Sequence, residues 1–289
     1  MQPFGSRAVL SARPSNFESA YGADHPEVAN SLANLAILVT HQGKFAEAET
    51  LTRRSLAIVE SALGPGHSNV AVALNNLAYL LVQQSKLIDA EPVYRRALEI
   101  REAKFGPNNP YVATTLNNLA NLLKDQGKLA EAEELYRRAL DIREAKCGPD
   151  HPDLATTLDN FASLLETQEL RRSEAEQFYQ RALAIREAKY GSDHPEVAST
   201  LKKLANFLKA QGKLDEAEPL FRRTLLLYEA EHGPNHLEVA KLLRNFASVL
   251  KELGNISESK LLTRRAVKIE EQGAASGSDQ AAESEVSDL

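Results

Sequence analysis

Tryptophan is absent from this 289-residue chain, cysteine occurs once, as Cys147, and methionine only at position 1. A single cysteine excludes an internal disulfide and removes any argument for an oxidising compartment. No apolar run approaches the roughly 18 residues a spanning helix needs, and no charged stretch followed by an apolar one marks a secretory signal at the start. A cytoplasmic address without membrane contact is expected. A basic excess is missing too, with 34 Lys and Arg against 40 Asp and Glu. Nucleic acid is therefore not an expected partner, because phosphate binding depends on a basic surface that releases counterions. No Gly-rich phosphate loop, His-Glu-x-x-His helix or Gly-x-Ser-x-Gly elbow is found. The sequence thus predicts no enzyme, no catalytic residue and no cofactor.

Self-similarity is what the chain does have. Gly22, Gly64, Gly106, Gly148, Gly191 and Gly233 are spaced 42, 42, 42, 43 and 42 apart. Ala48, Ala90, Ala132, Ala175 and Ala217, then Ser259, keep the same period. Six units follow, at 24-65, 66-107, 108-149, 150-192, 193-234 and 235-271, preceded by a partial repeat or N-terminal segment at 1-23. The extra residue falls near Gln168 to Ser173, where the usual Gln-Gly-Lys turn reads Gln168, Glu169, Leu170, Arg171. Insertions are tolerated at turns.

In the third unit Leu116, Leu119, Ala120 and Leu123 fall at i, i+3, i+4 and i+7, the apolar stripe of a first helix. Ala132, Leu135, Tyr136, Ala139, Leu140 and Ile142 form the stripe of a second. Gln126, Gly127 and Lys128 make the turn between them, and the next first helix starts near Asp150, His151 and Pro152. Pro92 and Pro219 are placed near the start of their second helices, where a missing N–H costs little. A helical pair with one apolar face buries it only by stacking on the next pair, so an all-α solenoid is expected. Tyr94, Tyr136, Tyr179 and Phe221 share one core position that Thr52 and Thr263 take at the two ends. Terminal repeats are commonly atypical.

The pattern Leu116, Leu119, Ala120, Leu123, Gly127, Ala132, Tyr136, Ala139 resembles the tetratricopeptide repeat, whose usual period is 34. The 42-residue form, with Leu-Asn-Asn-Leu-Ala in the first helix and Tyr-Arg-Arg-Ala-Leu in the second, is similar to the repeats of kinesin light chains and their bacterial relatives. The resemblance implies a right-handed superhelix whose first helices line a concave groove for extended peptides. Kinesin light chains also carry an upstream coiled coil, and residues 1-23 contain no heptads, which argues against a motor role.

Helical spacing puts Thr114, Asn118 and Asn121 opposite the buried stripe, with Asn117 to one side. The Asn118 position reads Asn34, Asn76, Asn118, Asn160, Lys203 and Asn245 along the chain. Asn is a mediocre helix former, so its repetition calls for a reason. Two remain open: gripping the backbone of a bound peptide, or bridging neighbouring repeats. The first two units present Ala33, Ile37, Val72, Tyr79 and Val82, and the last two present Lys202, Lys203, Lys209, Lys241 and Arg244. A ligand with an aromatic group and acidic groups would match this change, although the cations can equally be helix solvation.

His25, His67, His151, His194 and His236 occupy one connector each, about 10 Å from the next. Zinc ligands must all lie within about 2.1 Å of one ion, so a capping or packing role is expected and a metal site is not. Paired arginines follow Glu91, Glu133 and Glu134 by four residues, an ion-pair spacing for an outer face. From Gln272 the composition of Gly, Ala, Ser and acids reads as a disordered acidic tail at 272-289. The function this supports is a non-catalytic adaptor holding extended peptide segments. The competing reading is a regulatory or sensory repeat arm of a larger multidomain protein.

Overall fold

The computed structural model describes residues 22–287, with side chains described through Gln272. Among them are twelve α-helices, one 3₁₀ turn and no strand. In a first compact unit, α1 (Pro26–His41) pairs with α2 (Phe45–Leu63), α3 (Ser68–Gln83) with α4 (Leu87–Phe105), and α5 (Pro110–Asp125) with α6 (Leu129–Cys147). In a second unit beginning at Asp150, α7 (Pro152–Leu165) pairs with α8 (Arg172–Tyr190), α9 (Pro195–Ala210) with α10 (Leu214–His232), and α11 (Leu237–Glu252) with α12 (Ile256–Ser287). Within each unit the second helix of one pair also packs on the first helix of the next. Apart from Gly22 and Ala23, the partial repeat read at 1-23 lies outside the described residues, as do Asp288 and Leu289. Helix α12 continues to Ser287, through most of the stretch whose composition reads as a tail.

The apolar stripes form the core as periodicity predicts. Leu116, Leu119, Ala120, Leu123, Ala132, Tyr136 and Ala139 are all fully buried. Alanine at 132 and 139 lets the two helices approach while Tyr136 fills the space between them. Each first helix then opens on the same chemistry. The Nδ1 atoms of His25, His67, His151, His194 and His236 accept the N–H of Glu27, Asn69, Asp153, Glu196 and Glu238, each at 3.2 Å. In the third repeat Asn109 does this with its side-chain oxygen, at 2.9 Å from the Tyr111 nitrogen. These rings therefore cap helices, satisfying one of the donors every helix start leaves open.

Two backbone positions need particular residues. Gly106 ends α4 at φ 82°, ψ 158°, a region essentially reserved for glycine. In the turn between paired helices Gly127 has φ 79°, and Ser85 takes the same left-handed place in the second repeat with φ 61°. The prolines lie deeper than expected: Pro92 and Pro219 are the sixth residues of α4 and α10, so each removes an interior helix hydrogen bond. The insertion in the fourth repeat shortens α7 and coils Glu169–Arg171 into a 3₁₀ turn, leaving Leu170 almost wholly exposed.

Candidate ligand-binding surface

The asparagine ladder lies half-buried on the first helices. Asn118 donates to Asn75 at 3.3 Å, Lys203 donates to Asn160 at 3.4 Å, and Asn245 donates to Asn206 at 3.3 Å. Each bond joins first helices of consecutive repeats, so repeat bridging is one thing the ladder does. Asn121 accepts the Tyr136 hydroxyl at 2.5 Å. Asn34 and Asn76 have no such engagement among the described residues.

Asn117 is placed differently from its expected groove position: it is buried, 4% exposed. The same position in later repeats explains why. Asp159 accepts a hydrogen bond from Arg186. Lys202 stands 5.1 Å from the Tyr228 ring centroid, a cation–π contact. Arg244 pairs with Glu270. Positions 159, 202 and 244 thus meet 186, 228 and 270, and the equivalent positions of the earlier repeats carry Ala33 and Val59, Asn75 and Arg101, and Asn117 and Arg143. Lys241 and Lys202 also share Glu238, at 2.6 and 3.4 Å. Lys202, Lys241 and Arg244 therefore have intramolecular partners, which periodicity alone did not show.

The buried arginines reach onward as well. Arg101 donates to Thr115 at 2.6 Å and to the Tyr111 carbonyl at 2.8 Å, both on the next first helix. Arg186 donates to Thr200 on α9, and Thr200 donates to Asp159 at 2.8 Å. Burial lowers the pKa of the Arg101 guanidinium, so these bonds hold a cation that the interior disfavours. Where no arginine stands, no threonine follows: Val59 precedes Ala73 and Tyr228 precedes Leu242 at the same 14-residue offset.

Two cavities open on the first-helix faces, one in each compact unit, at the same position of the repeat. The first has a volume of about 480 Å³. Ala33, Ile37 and Phe45 line it with Asn76 and Tyr79 of the next repeat, and Thr52 stands where other repeats carry a buried ring. Ile37 and Tyr79 are about half exposed at its rim. The second cavity, about 390 Å³, is bordered by Glu166, Arg172, Tyr179, Lys203, Asn206 and Gln211. Sequence reasoning noted Thr52 as an end-repeat irregularity and the insertion near 170 as a tolerated turn. It did not identify either as the border of a cavity.

The outer face is neutralised from repeat to repeat. Glu91 binds Arg95 at 2.8 Å and Lys128 at 2.7 Å, and Glu133 binds Arg137 at 2.7 Å. Arg138 pairs with Glu102 of the preceding repeat at 2.6 Å, not with Glu134 four residues before it. Arg96 with Glu60 and Arg265 with Glu229 repeat this link, each at 2.5 Å. No group of three or more His, Cys, Asp or Glu side chains among the described residues is arranged to hold a metal. No helix there is long and apolar enough to cross a membrane.

Stacked antiparallel helix pairs with interlocking repeat-to-repeat bonds define a helical solenoid, a class that presents extended surfaces to other molecules. The chain belongs to the tetratricopeptide repeat family, which matches at residues 15–61, 39–103, 69–145, 111–188 and 196–272. A search of curated proteins finds no match. Among solved structures, a putative kinesin light chain of nearly identical TPR-like repeats from Podospora anserina is 22% identical, with TM-score 0.58, covering 72% of this chain and 97% of its own. BtubC (BKLC) from P. vanneervenii is also 22% identical, with TM-score 0.65, covering 81% and 91%. The Rap conjugation gene regulator of plasmid pLS20, solved with the Phr* peptide, is 14% identical, with TM-score 0.62, covering 90% and 66%. In fold the repeats are of the kinesin light chain-like kind.

Proposed function

We propose that this chain is a non-catalytic interaction module that holds an extended segment of a protein partner against its first helices, seating an apolar or aromatic side chain in the cavity beside Thr52. The observation that carries this reading is the cavity itself. Tyr94, Tyr136 and Phe221 bury a ring at the corresponding position of their repeats, whereas Thr52 leaves that space unfilled, with Ile37 and Tyr79 at the mouth. Its volume falls within the range of ligand pockets, and its lining is mainly apolar with few polar groups, as such pockets are. The Asn76 amide borders it and supplies a donor and an acceptor for a peptide backbone. A peptide complex of a structural neighbour is consistent with this use of the fold.

The test is a peptide-display selection on the intact chain, followed by Thr52→Tyr. Selected peptides should share an aromatic or large apolar residue, and the variant should bind them at least tenfold more weakly while melting no lower. Undiminished affinity in Thr52→Tyr would remove the cavity from the binding site.

A further inference from the structure

Leu80, Leu122, Phe207 and Val249 occupy one position near the end of their first helices, and all are buried. Leu80 belongs to one apolar cluster with Ala36, Ala48 and Phe45 of the preceding repeat, and the Phe207 ring lies 5.5 Å from the Tyr179 ring of the repeat before it. The seat for such a side chain is thus made by the end of one first helix and the start of its second. In the sixth repeat the equivalent residues Lys251, Ile256, Ser259 and Thr263 border a cavity of about 340 Å³. Ile256 is exposed, whereas its counterparts Phe45, Leu87, Leu129 and Leu214 are half-buried. The chain does not turn back to cover this seat within the described residues. Earlier second helices end after 19 residues at a glycine, and α12 runs on for 32 to Ser287.

The charge beside this seat is also reversed. Glu49, Glu91, Glu133, Glu176 and Glu218 share one position, and Lys260 takes it in the sixth repeat. In earlier repeats that glutamate receives a lysine from the turn after the incoming first helix: Lys86 at 2.9 Å from Glu49, Lys128 at 2.7 Å from Glu91, and Lys213 at 2.7 Å from Glu176. It also holds the arginine four residues on, as Glu91 holds Arg95 and Glu218 holds Arg222. Lys260 can do neither. Lys251, Lys260 and Arg264 all border the cavity, and none has a hydrogen bond or ion pair among the described residues. A further repeat of the same kind would bring its lysine against Lys260, whereas a helix carrying acids would meet these cations.

We propose that this end of the sixth repeat docks an acidic amphipathic helix of a protein partner. That helix takes the place of the next first helix, seats a large apolar side chain on Ile256 and sets carboxylates against Lys251, Lys260 and Arg264. The site is separate from the cavity beside Thr52 and does not rest on it.

The probe is a fluorescein-labelled, stapled helical peptide with the sequence of residues 110–128, prepared unaltered and with Lys124→Glu and Lys128→Glu. Fluorescence anisotropy on the full chain should show saturable binding of the acidic copy, at least tenfold tighter than of the unaltered one. Lys260→Glu, at an exposed position, should reverse that preference, because it restores the glutamate that Lys128 meets at Glu91. Leu122→Ala in the acidic copy should weaken its binding at least fivefold, and Thr52→Tyr in the chain should leave binding unchanged. No saturable binding, equal binding of the two copies, an unaltered preference in Lys260→Glu or no effect of Leu122→Ala would overturn the docking site. Loss of binding in Thr52→Tyr would place the peptide in the other cavity and overturn it too.

Discussion

Arg244 on α11 donates to Glu270 on α12, the same helix-to-helix pair that Asp159 and Arg186 form two repeats earlier, with the charges exchanged. Charge reversal at matching positions is what a pair selected for mutual contact leaves behind. Periodicity alone put Lys202 and Arg244 on a ligand-facing surface. Their partners lie 26 residues downstream, on the second helix of the same repeat.

Removing one member of the buried pair should be costly. Asp159→Ala leaves the Arg186 guanidinium buried without its carboxylate and should destabilise the chain by about 3 kcal/mol. Asp159→Asn keeps an acceptor for Arg186, with the residue type that the second and third repeats carry at this position, and should lose less than half of that. Urea unfolding of both variants checks the order, and equal losses would show that Arg186 does not depend on the acceptor.

Ser85→Gly should stabilise the turn between α3 and α4. Ser85 holds φ 61°, where a side chain is disfavoured by about 1 kcal/mol, and Gly127, Gly212 and Gly254 occupy the same position in other repeats. After the greater freedom of glycine in the unfolded chain is subtracted, a gain of about 0.5 kcal/mol remains. Thermal melting should show it as a small rise.

The connector histidines should be replaceable by asparagine but not by alanine. Asn109 already performs the cap in the third repeat. His194→Asn should leave stability within about 0.5 kcal/mol of the parent, whereas His194→Ala should cost about 1 kcal/mol. Hydrogen exchange at the Glu196 amide, the capped donor, should quicken only in the alanine variant.

Acid should weaken the links between second helices. Hydrogen bonding from Lys86, and then from Arg53 and Gln84, holds the Glu49 carboxyl at about 2, below its ordinary 4.5. Lys128 and Arg95 hold Glu91 at about 2 in the same way. Because both are lowered, the stability they contribute is complete above the ordinary carboxylate range and is lost as pH falls from about 4.5 toward 2. The lysines are half exposed, so each link contributes only about 1 kcal/mol. Glu49→Gln and Glu91→Gln should differ from the parent at pH 7, and the difference should shrink below pH 4.5 and vanish only toward pH 2, measured by urea midpoint.

The repeat architecture was legible because it is local. A stripe such as Leu116, Leu119, Ala120 and Leu123 depends on helical spacing alone, and glycines such as Gly106 on backbone conformation alone. The candidate site was legible only in part. Ile37 and Tyr79 are about half exposed, but the cavity beneath them depends on what Thr52 fails to fill, which is a packing property. Asn117 looked polar and ligand-facing because its burial depends on packing that helical spacing does not reveal.

The reach of Arg101 to Thr115 and of Arg186 to Thr200 makes the order of the repeats part of the information in the chain. A repeat whose second helix ends in this arginine accepts only a successor whose first helix offers the hydroxyl. Joining the fourth repeat directly to the sixth would set Leu242 against Arg186 and take away the Thr200 hydroxyl that both Arg186 and Asp159 bond. These units are keyed to one another, and shuffling them as interchangeable parts would succeed only where the keys agree.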